Sequence, residues 1–327
     1  MQALLERSVA SWCPGATGVA GLVRLSGGAS QETWSFDIIR PSGNIGAILR
    51  RAPAGYGAAP ACAAGLNIEA KLMQRAHDAG VPSPRVFYVL EPQYDLGTGF
   101  IMDRVEGETI PRKILRDEQF ASIRPKLASQ LGGILALIHG LPLLQLPELR
   151  RMTAAAEIAE LERDIRAFDW PRPVFELALR WLRDRDPGSP GHVTLVHGDF
   201  RHGNLIIGPD GVRAVLDWEL AHLGDPMEDL GWICVNSWRF GEIDKPVGGF
   251  GSREELFAGY EEATGHPVDP DRVMFWEVMG TLRWGVMCCG MMQRFRTGPE
   301  HSVERAMIGR RASETEIDLL RLLAPRK

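Results

Sequence analysis

Between residues 19 and 49 the chain alternates short β-prone runs, 21–25, 33–39 and 46–49, with polar, glycine-bearing breaks at Ser26-Gly27-Gly28-Ala29-Ser30 and Pro41-Ser42-Gly43-Asn44. Runs of this length between such breaks predict strands joined by tight turns, here an antiparallel meander. Residues 53–65, rich in Ala, Gly and Pro, read as a mobile loop. Helical spacing follows over 66–79 (Ile68, Leu72, Ala76) and stops at Gly80. Two more strands are expected at 86–90 and 99–102, followed by the connector Asp103-Arg104-Val105-Glu106-Gly107.

Beyond Thr109 the apolar period becomes helical, over 124–139, 153–168, 174–185, 253–264, 270–295 and 302–323. The one β signal there is 193–196, then 205–207 and 212–216 around Gly208-Pro209-Asp210-Gly211. The pattern predicts an α+β protein. A small antiparallel sheet with one main helix occupies 1–102, a connector 103–108, and a larger, mostly helical lobe 109–327.

Composition narrows the function classes. With 327 residues, 45% apolar, 24% charged and a mean hydropathy of −0.11, the chain reads as globular and large enough for two lobes. A net charge of −5 without a concentrated excess of Lys and Arg argues against nucleic acid as a partner. The cysteines, Cys13, Cys62, Cys234, Cys288 and Cys289, are odd in number and form no C-x-x-C knuckle, which suits a reducing compartment. The start lacks a basic segment followed by an apolar one, and the uncharged run 284–292 is too short to span a bilayer. A cytoplasmic protein is expected.

The chemistry concentrates in His197-Gly198-Asp199-Phe200-Arg201-His202-Gly203-Asn204, followed thirteen residues later by Asp217. Phosphoryl transfer needs a carboxylate that orients the attacking hydroxyl and accepts its proton, and oxygen ligands that hold Mg²⁺ on the phosphates. Asp199, Asn204 and Asp217 supply those groups. If Asp210-Gly211 forms a two-residue turn, Asn204 lies opposite Asp217; Pro209 is an awkward turn neighbour, so a one-residue slip stays open. Taken alone, Asp199 would be an ordinary turn residue, His197 a hydrogen-bonded brace, Asp225 and Asp229 caps or anchors of a helix starting near Pro226, and His202 and His222 either surface groups or supports behind the site's own residues.

His197-Gly198-Asp199 with Asn204, and the later Asp217, resemble the catalytic loop and metal-binding Asp of the protein-kinase-like superfamily, in particular its aminoglycoside phosphotransferase and choline kinase group. The stretch from Leu216-Asp217-Trp218-Glu219 to Gly224-Asp225-Pro226 looks closest to the kinase-like branch associated with acyl-CoA dehydrogenases. The resemblance covers roughly residues 20 to 300 and implies a bilobal kinase fold. It also implies ATP or GTP as co-substrate, Mg²⁺ held by Asn204 and Asp217, Asp199 as catalytic carboxylate, and Arg201 as a cation on the transferring phosphate. Gly27, Gly28 and Ser30 then suit a phosphate-covering loop. Arg50 stands where such kinases carry a phosphate-binding Lys, with Glu69 as its ion-pair partner, and backbone groups of Asp103 and Val105 would meet the adenine edge. Arg51 competes with Arg50, though strand alternation turns it to the opposite face, and Glu69 could instead lie on a solvated helix face.

The expected partners are thus a nucleoside triphosphate and a small hydroxylated acceptor, with no nucleic acid, no membrane and an undetermined oligomeric state. For the acceptor, the helix around 274–287 offers Glu277 beside Met, Trp and Arg283. An apolar wall with one cation suits a hydroxyacyl thioester or another apolar hydroxylated compound better than an aminoglycoside. Two other readings compete: a catalytically silent nucleotide-binding module, motivated by Arg50, and a metal-dependent hydrolase using His197, Asp199, His202 and Asp217, which leaves Asn204 without a role.

Overall fold

The computed structural model describes residues 1–25, 31–52, 64–168, 170–298 and 302–324. The chain forms two compact units, each assembled from separate stretches of sequence. The first takes in Met1–Thr109, Leu141–Leu149 and Asn204–Ala221, and the second Ile110–Gly140, Arg150–Gly203 and His222–Lys327.

The first unit opens with helix α1 (Gln2–Trp12) and continues through β1 (Gly18–Leu25), β2 (Glu32–Ile39), β3 (Ile45–Ala52), helix α2 (Leu66–Asp78), β4 (Val86–Val89) and β5 (Thr98–Asp103). The strands make one antiparallel sheet in the order β1-β2-β3-β5-β4. Phe36 and Ile38 of β2, Ala47 and Leu49 of β3, and Ile101 of β5 bury side chains at alternate positions in one core with Leu5 and Val9 of α1. Helix α1 was not among the expected elements. Its i, i+4 pair Leu5 and Val9 is buried and holds it in this core, each such side chain contributing about 1.5–3 kcal/mol.

Strand β6 (Thr194–Val196) belongs to the second unit, whereas β7 (Leu205–Gly208) and β8 (Gly211–Val215) form a hairpin in the first. The hairpin register differs from the sequence expectation by two residues at the turn and by one beyond the bulge. Gly208 pairs with Gly211, so Pro209-Asp210 occupy the turn, and a bulge between Ile206 and Ile207 leaves Leu205 opposite Val215. Proline has φ pre-set for the first central turn position and has no N–H for the ladder, so it belongs in the turn. Asn204 consequently lies opposite Leu216, whose N–H donates to its carbonyl at 2.8 Å, and Asp217 lies one residue beyond.

The second unit comprises α3 (Pro111–Arg116), α4 (Arg124–His139), α5 (Ala154–Arg166), α6 (Pro173–Asp184), the pair of β6 with β9 (His222–Gly224), then α7 (Met227–Cys234), α8 (Arg253–Thr264), α9 (Pro270–Thr297), α10 (Val303–Gly309) and α11 (Ala312–Leu323). Helix starts follow capping chemistry. Ser252 and Glu255 form a reciprocal capping box on α8, and Asp269 caps α9 ahead of Pro270. Helices α4 and α8 touch at glycines: a Cβ on Gly259 would lie 2.0 Å from the Ser129 carbonyl oxygen. The continuous helix expected over 302–323 is broken after Gly309, where a Cβ would lie 2.8 Å from the Cβ of Met292, so the chain turns against α9. Among the described residues no helix is long and apolar enough to cross a membrane.

Candidate active site

The first unit gathers Arg50, Glu69 and Asp217. Alternation along β3 sends Arg50 and Arg51 to different partners: Arg51 donates to Glu32 (Nε–Oε2 2.9 Å) and to the Leu96 carbonyl (3.0 Å). Arg50 instead lies 3.0 Å from Glu69 of α2, donates to Asp217 Oδ1 at 2.7 Å and comes within 3.6 Å of Glu219. Three carboxylates around one guanidinium hold it charged. Glu69 is 1% exposed. Burial pushes its carboxyl up to about 7, and Arg50 offsets this only in part because Asp217 and Glu219 share the same cation.

Asp217 has a left-handed backbone (φ 68°, ψ 62°), a conformation that Asp tolerates better than most side chains. It turns the chain out of β8 into a 3₁₀ turn at Trp218–Leu220. The amide oxygen of Asn204 and the carboxylate of Asp217 are hard donors suited to Mg²⁺. Here Asp217 is paired with Arg50, whose guanidinium compensates its charge. Among the described residues no group of three or more His, Cys, Asp or Glu is arranged to hold a metal ion.

At the end of β5, the Asp103 N–H donates to the Arg85 carbonyl (2.9 Å). Arg104 ties this segment to β2 through Asp37 (2.7 Å) and Ser35 (3.2 Å), and Val105 follows in an irregular stretch. Gly27, Gly28 and Ser30 lie outside the described residues, as does most of the loop expected over 53–65.

In the second unit, β6 delivers the loop carrying Asp199 and Arg201. Asp229 of α7 accepts the N–H groups of His197 (2.8 Å) and Gly198 (3.0 Å), and His139 lies 3.1 Å from the same carboxylate. The expectation that Asp229 serves the end of its own helix is therefore corrected: Asp225 caps that helix through the Met227 N–H, while Asp229 reaches to the loop. Gly198 has φ 80°, which a glycine adopts without strain. His197 Nδ1 accepts the Asp199 N–H (3.2 Å), so this imidazole braces the loop.

The Asp199 carboxylate receives Arg201 Nε on both oxygens (3.0 and 3.1 Å) and the Trp232 indole N–H on Oδ1 (2.9 Å). Arg201 also lies 4.9 Å over the Trp238 ring. Neither His202 nor His222 is at the surface. His202 is enclosed by Phe240 and Phe250 with Nδ1 on the Gly248 carbonyl, and burial holds it down to about 4; His222 pairs with Glu228 at 3.0 Å.

Sequence reasoning missed Asp229 and Trp232 as partners of this loop. The acidic pair Glu228-Asp229 followed by Trp232, one turn on, is the only local signal; their partners lie about 30 residues away. The expected role of Glu277 changes as well. It is fully buried between Arg239 (2.9 Å) and Arg253 (2.6 Å) inside α9, so it offers no wall to an acceptor. Arg283 is likewise committed, to Glu157 (3.1 Å) and Glu228 (2.8 Å).

Comparison with known proteins agrees with this architecture. A mouse (Mus musculus) protein, acyl-CoA dehydrogenase family member 10, is 28% identical over 284 residues, covering 80% of this chain and 26% of its own length. This chain therefore spans about a quarter of that relative. Among solved structures, a Ralstonia eutropha protein assigned to the aminoglycoside phosphotransferases superposes with a TM-score of 0.74 at 20% identity over 98% of both chains. A thermostable mutant of the aminoglycoside phosphotransferase APH(4)-Ia, in ternary complex with AMP-PNP and hygromycin B, gives 0.63 at 18% identity, covering 98% of this chain and 99% of its own. These likenesses establish the bilobal kinase-like fold. The phosphotransferase enzyme family model, APH, matches residues 21–269, and the chain belongs to that family.

Proposed function

We propose that the chain transfers the γ-phosphoryl group of ATP or GTP to a hydroxyl of a small molecule, with Asp199 as the base. The observation that carries this reading is the fixing of Asp199: its loop is held by two N–H bonds to Asp229, its own N–H by His197, and its carboxylate by Trp232. Such preorganisation suits a group that must meet an incoming hydroxyl at hydrogen-bond distance. Asp217 and Asn204 would hold Mg²⁺, which when bound supplies positive charge against the phosphates. Arg50, now shared among three carboxylates, turns its guanidinium to the phosphate oxygens, and Glu69 keeps it from leaving the site. Arg201 moves from Asp199 to the transferring phosphoryl, freeing the carboxylate to take the hydroxyl proton.

For the acceptor we favour a hydroxyacyl thioester or a similar hydroxylated compound with an apolar body. The name of the mouse relative, acyl-CoA dehydrogenase family member 10, supports that class, and the buried Trp232, Trp238 and Trp284, whose faces carry Arg283, Arg201 and Arg311, add no acidic wall that would draw a polycation. A screen with γ-labelled ATP and Mg²⁺ against hydroxyacyl-CoA compounds and kanamycin-like amines tests the choice. Label transfer to the amines alone overturns the acceptor class. Asp199→Asn should keep nucleotide affinity and lower turnover at least ~10²-fold, and near-normal turnover removes Asp199 as base.

A further inference from the structure

We propose that Trp232 is a positioning residue for phosphoryl transfer: its indole N–H fixes the plane of the Asp199 carboxylate. The inference rests on Asp199 being the base. Trp232 is 2% exposed and donates to Asp199 Oδ1 at 2.9 Å. Its seat is built from one face of α9. Gly280 clears the space, since a Cβ there would lie 2.8 Å from Trp232 Cε3, and Arg283, one turn on, places its guanidinium 4.2 Å from the ring centroid.

Arg283 is itself held on several sides. Glu157 of α5 and Glu228 of α7 bind its Nη1, and its Nη2 donates to the carbonyl of Gly198, the residue before Asp199. Burial alone would push Glu228 up, but His222 and Arg283 pull it down to about 2, so a carboxylate stays ionised behind the guanidinium. The indole therefore has one place to sit. Arg201, also a donor to Asp199, differs in kind: its side chain is 27% exposed and can leave. The fixed donor holds the carboxylate while the movable one serves the phosphoryl group.

In the step itself, the acceptor O–H proton passes to Asp199 as the acceptor oxygen bonds the γ-phosphorus. The bond from that phosphorus to the β,γ-bridging oxygen breaks, and its electron pair leaves with the nucleoside diphosphate. Removing the indole donor frees the carboxylate to turn away from the acceptor O–H, which lowers turnover while leaving the nucleotide's own contacts in place.

The test uses the full chain with Trp232→Phe, which keeps an aromatic ring in the seat and deletes the donor. Mg·ATP turnover is measured with kcat and with KM for ATP separately, and Asp199→Asn is measured in the same way. The expected result is a ~10-fold lower kcat with unchanged KM for ATP. Should the Phe variant fold poorly, β-(3-benzothienyl)alanine at position 232 keeps the indole shape and removes only the N–H. An unchanged kcat in a folded variant overturns the proposal. Normal turnover in Asp199→Asn would instead defeat the base assignment, so the two failures are separable.

Discussion

Glu69→Gln isolates a buried carboxyl that titrates near neutrality. In the folded chain Glu69 is raised from 4.5 to about 7, burial being the main cause and Arg50 the partial offset. A raised carboxyl favours the protonated folded state. Its contribution to stability is complete below pH 4.5 and disappears as pH rises through about 7. The full difference corresponds to ~3 kcal/mol, of which about 2–3 kcal/mol falls between pH 5 and pH 8.5. Gln at 69 has nearly the same shape and no titration, and Arg50 retains Asp217 and Glu219. Urea unfolding of both proteins across that range should show wild-type stability falling relative to Glu69→Gln by that amount. A difference independent of pH would refute the reasoning, because it would mean Glu69 has the same affinity for protons folded and unfolded.

Four further outcomes are expected. Asp217→Ala should abolish Mg²⁺-dependent nucleotide binding, measured by calorimetry with and without the ion, because it removes the one full negative charge assigned to the metal. Arg50→Ala should weaken ATP binding at least ~10-fold while Arg50→Lys retains much of it and Arg51→Ala changes it less than about twofold, since Arg51 is occupied by Glu32; the reverse order would reassign the strand register. Gly259→Ala should destabilise by roughly 1–3 kcal/mol or more, read as a lowered unfolding temperature, because its Cβ would meet the Ser129 backbone. Gly290→Ala, whose Cβ meets nothing within 4 Å, should instead gain about 0.5–1 kcal/mol from helix propensity.

Elements whose signal is local were readable in the chain. The spacing of Ile68, Leu72 and Ala76 matches α2, and the apolar period over 124–139 and 253–264 matches α4 and α8 to the residue. The sides taken by Arg50 and Arg51 also follow from alternation alone. What escaped depends on partners distant in sequence. Helix α1 is held by the sheet rather than by a cap, the break at Gly309 by Met292, and the true role of Asp229 by N–H groups 31 and 32 residues earlier. The hairpin register turned on whether Pro209 enters the turn, a choice that the β8 bulge makes possible. Glu277 looked available because charge on a helix usually faces solvent; two arginines from elsewhere in the same unit had claimed it.

The first unit borrows residues 141–149 and 204–221 from far along the chain, and this has a consequence for synthesis. The Pro82 carbonyl accepts the Val215 N–H at 2.8 Å, Glu108 and Ile207 exchange backbone bonds, and the Ala64 N–H reaches the Glu219 carbonyl at 2.7 Å. None of those later partners exists when residue 109 leaves the ribosome. The nascent sheet can pair its own strands, but Arg50 and Glu69 then lack Asp217 and Glu219. A chain released before residue 221 thus carries the buried Glu69 carboxyl and its guanidinium without the groups assigned to the metal. Completion of this carboxylate cluster therefore waits on residues 204–221, about 100 residues beyond the last strand of the sheet.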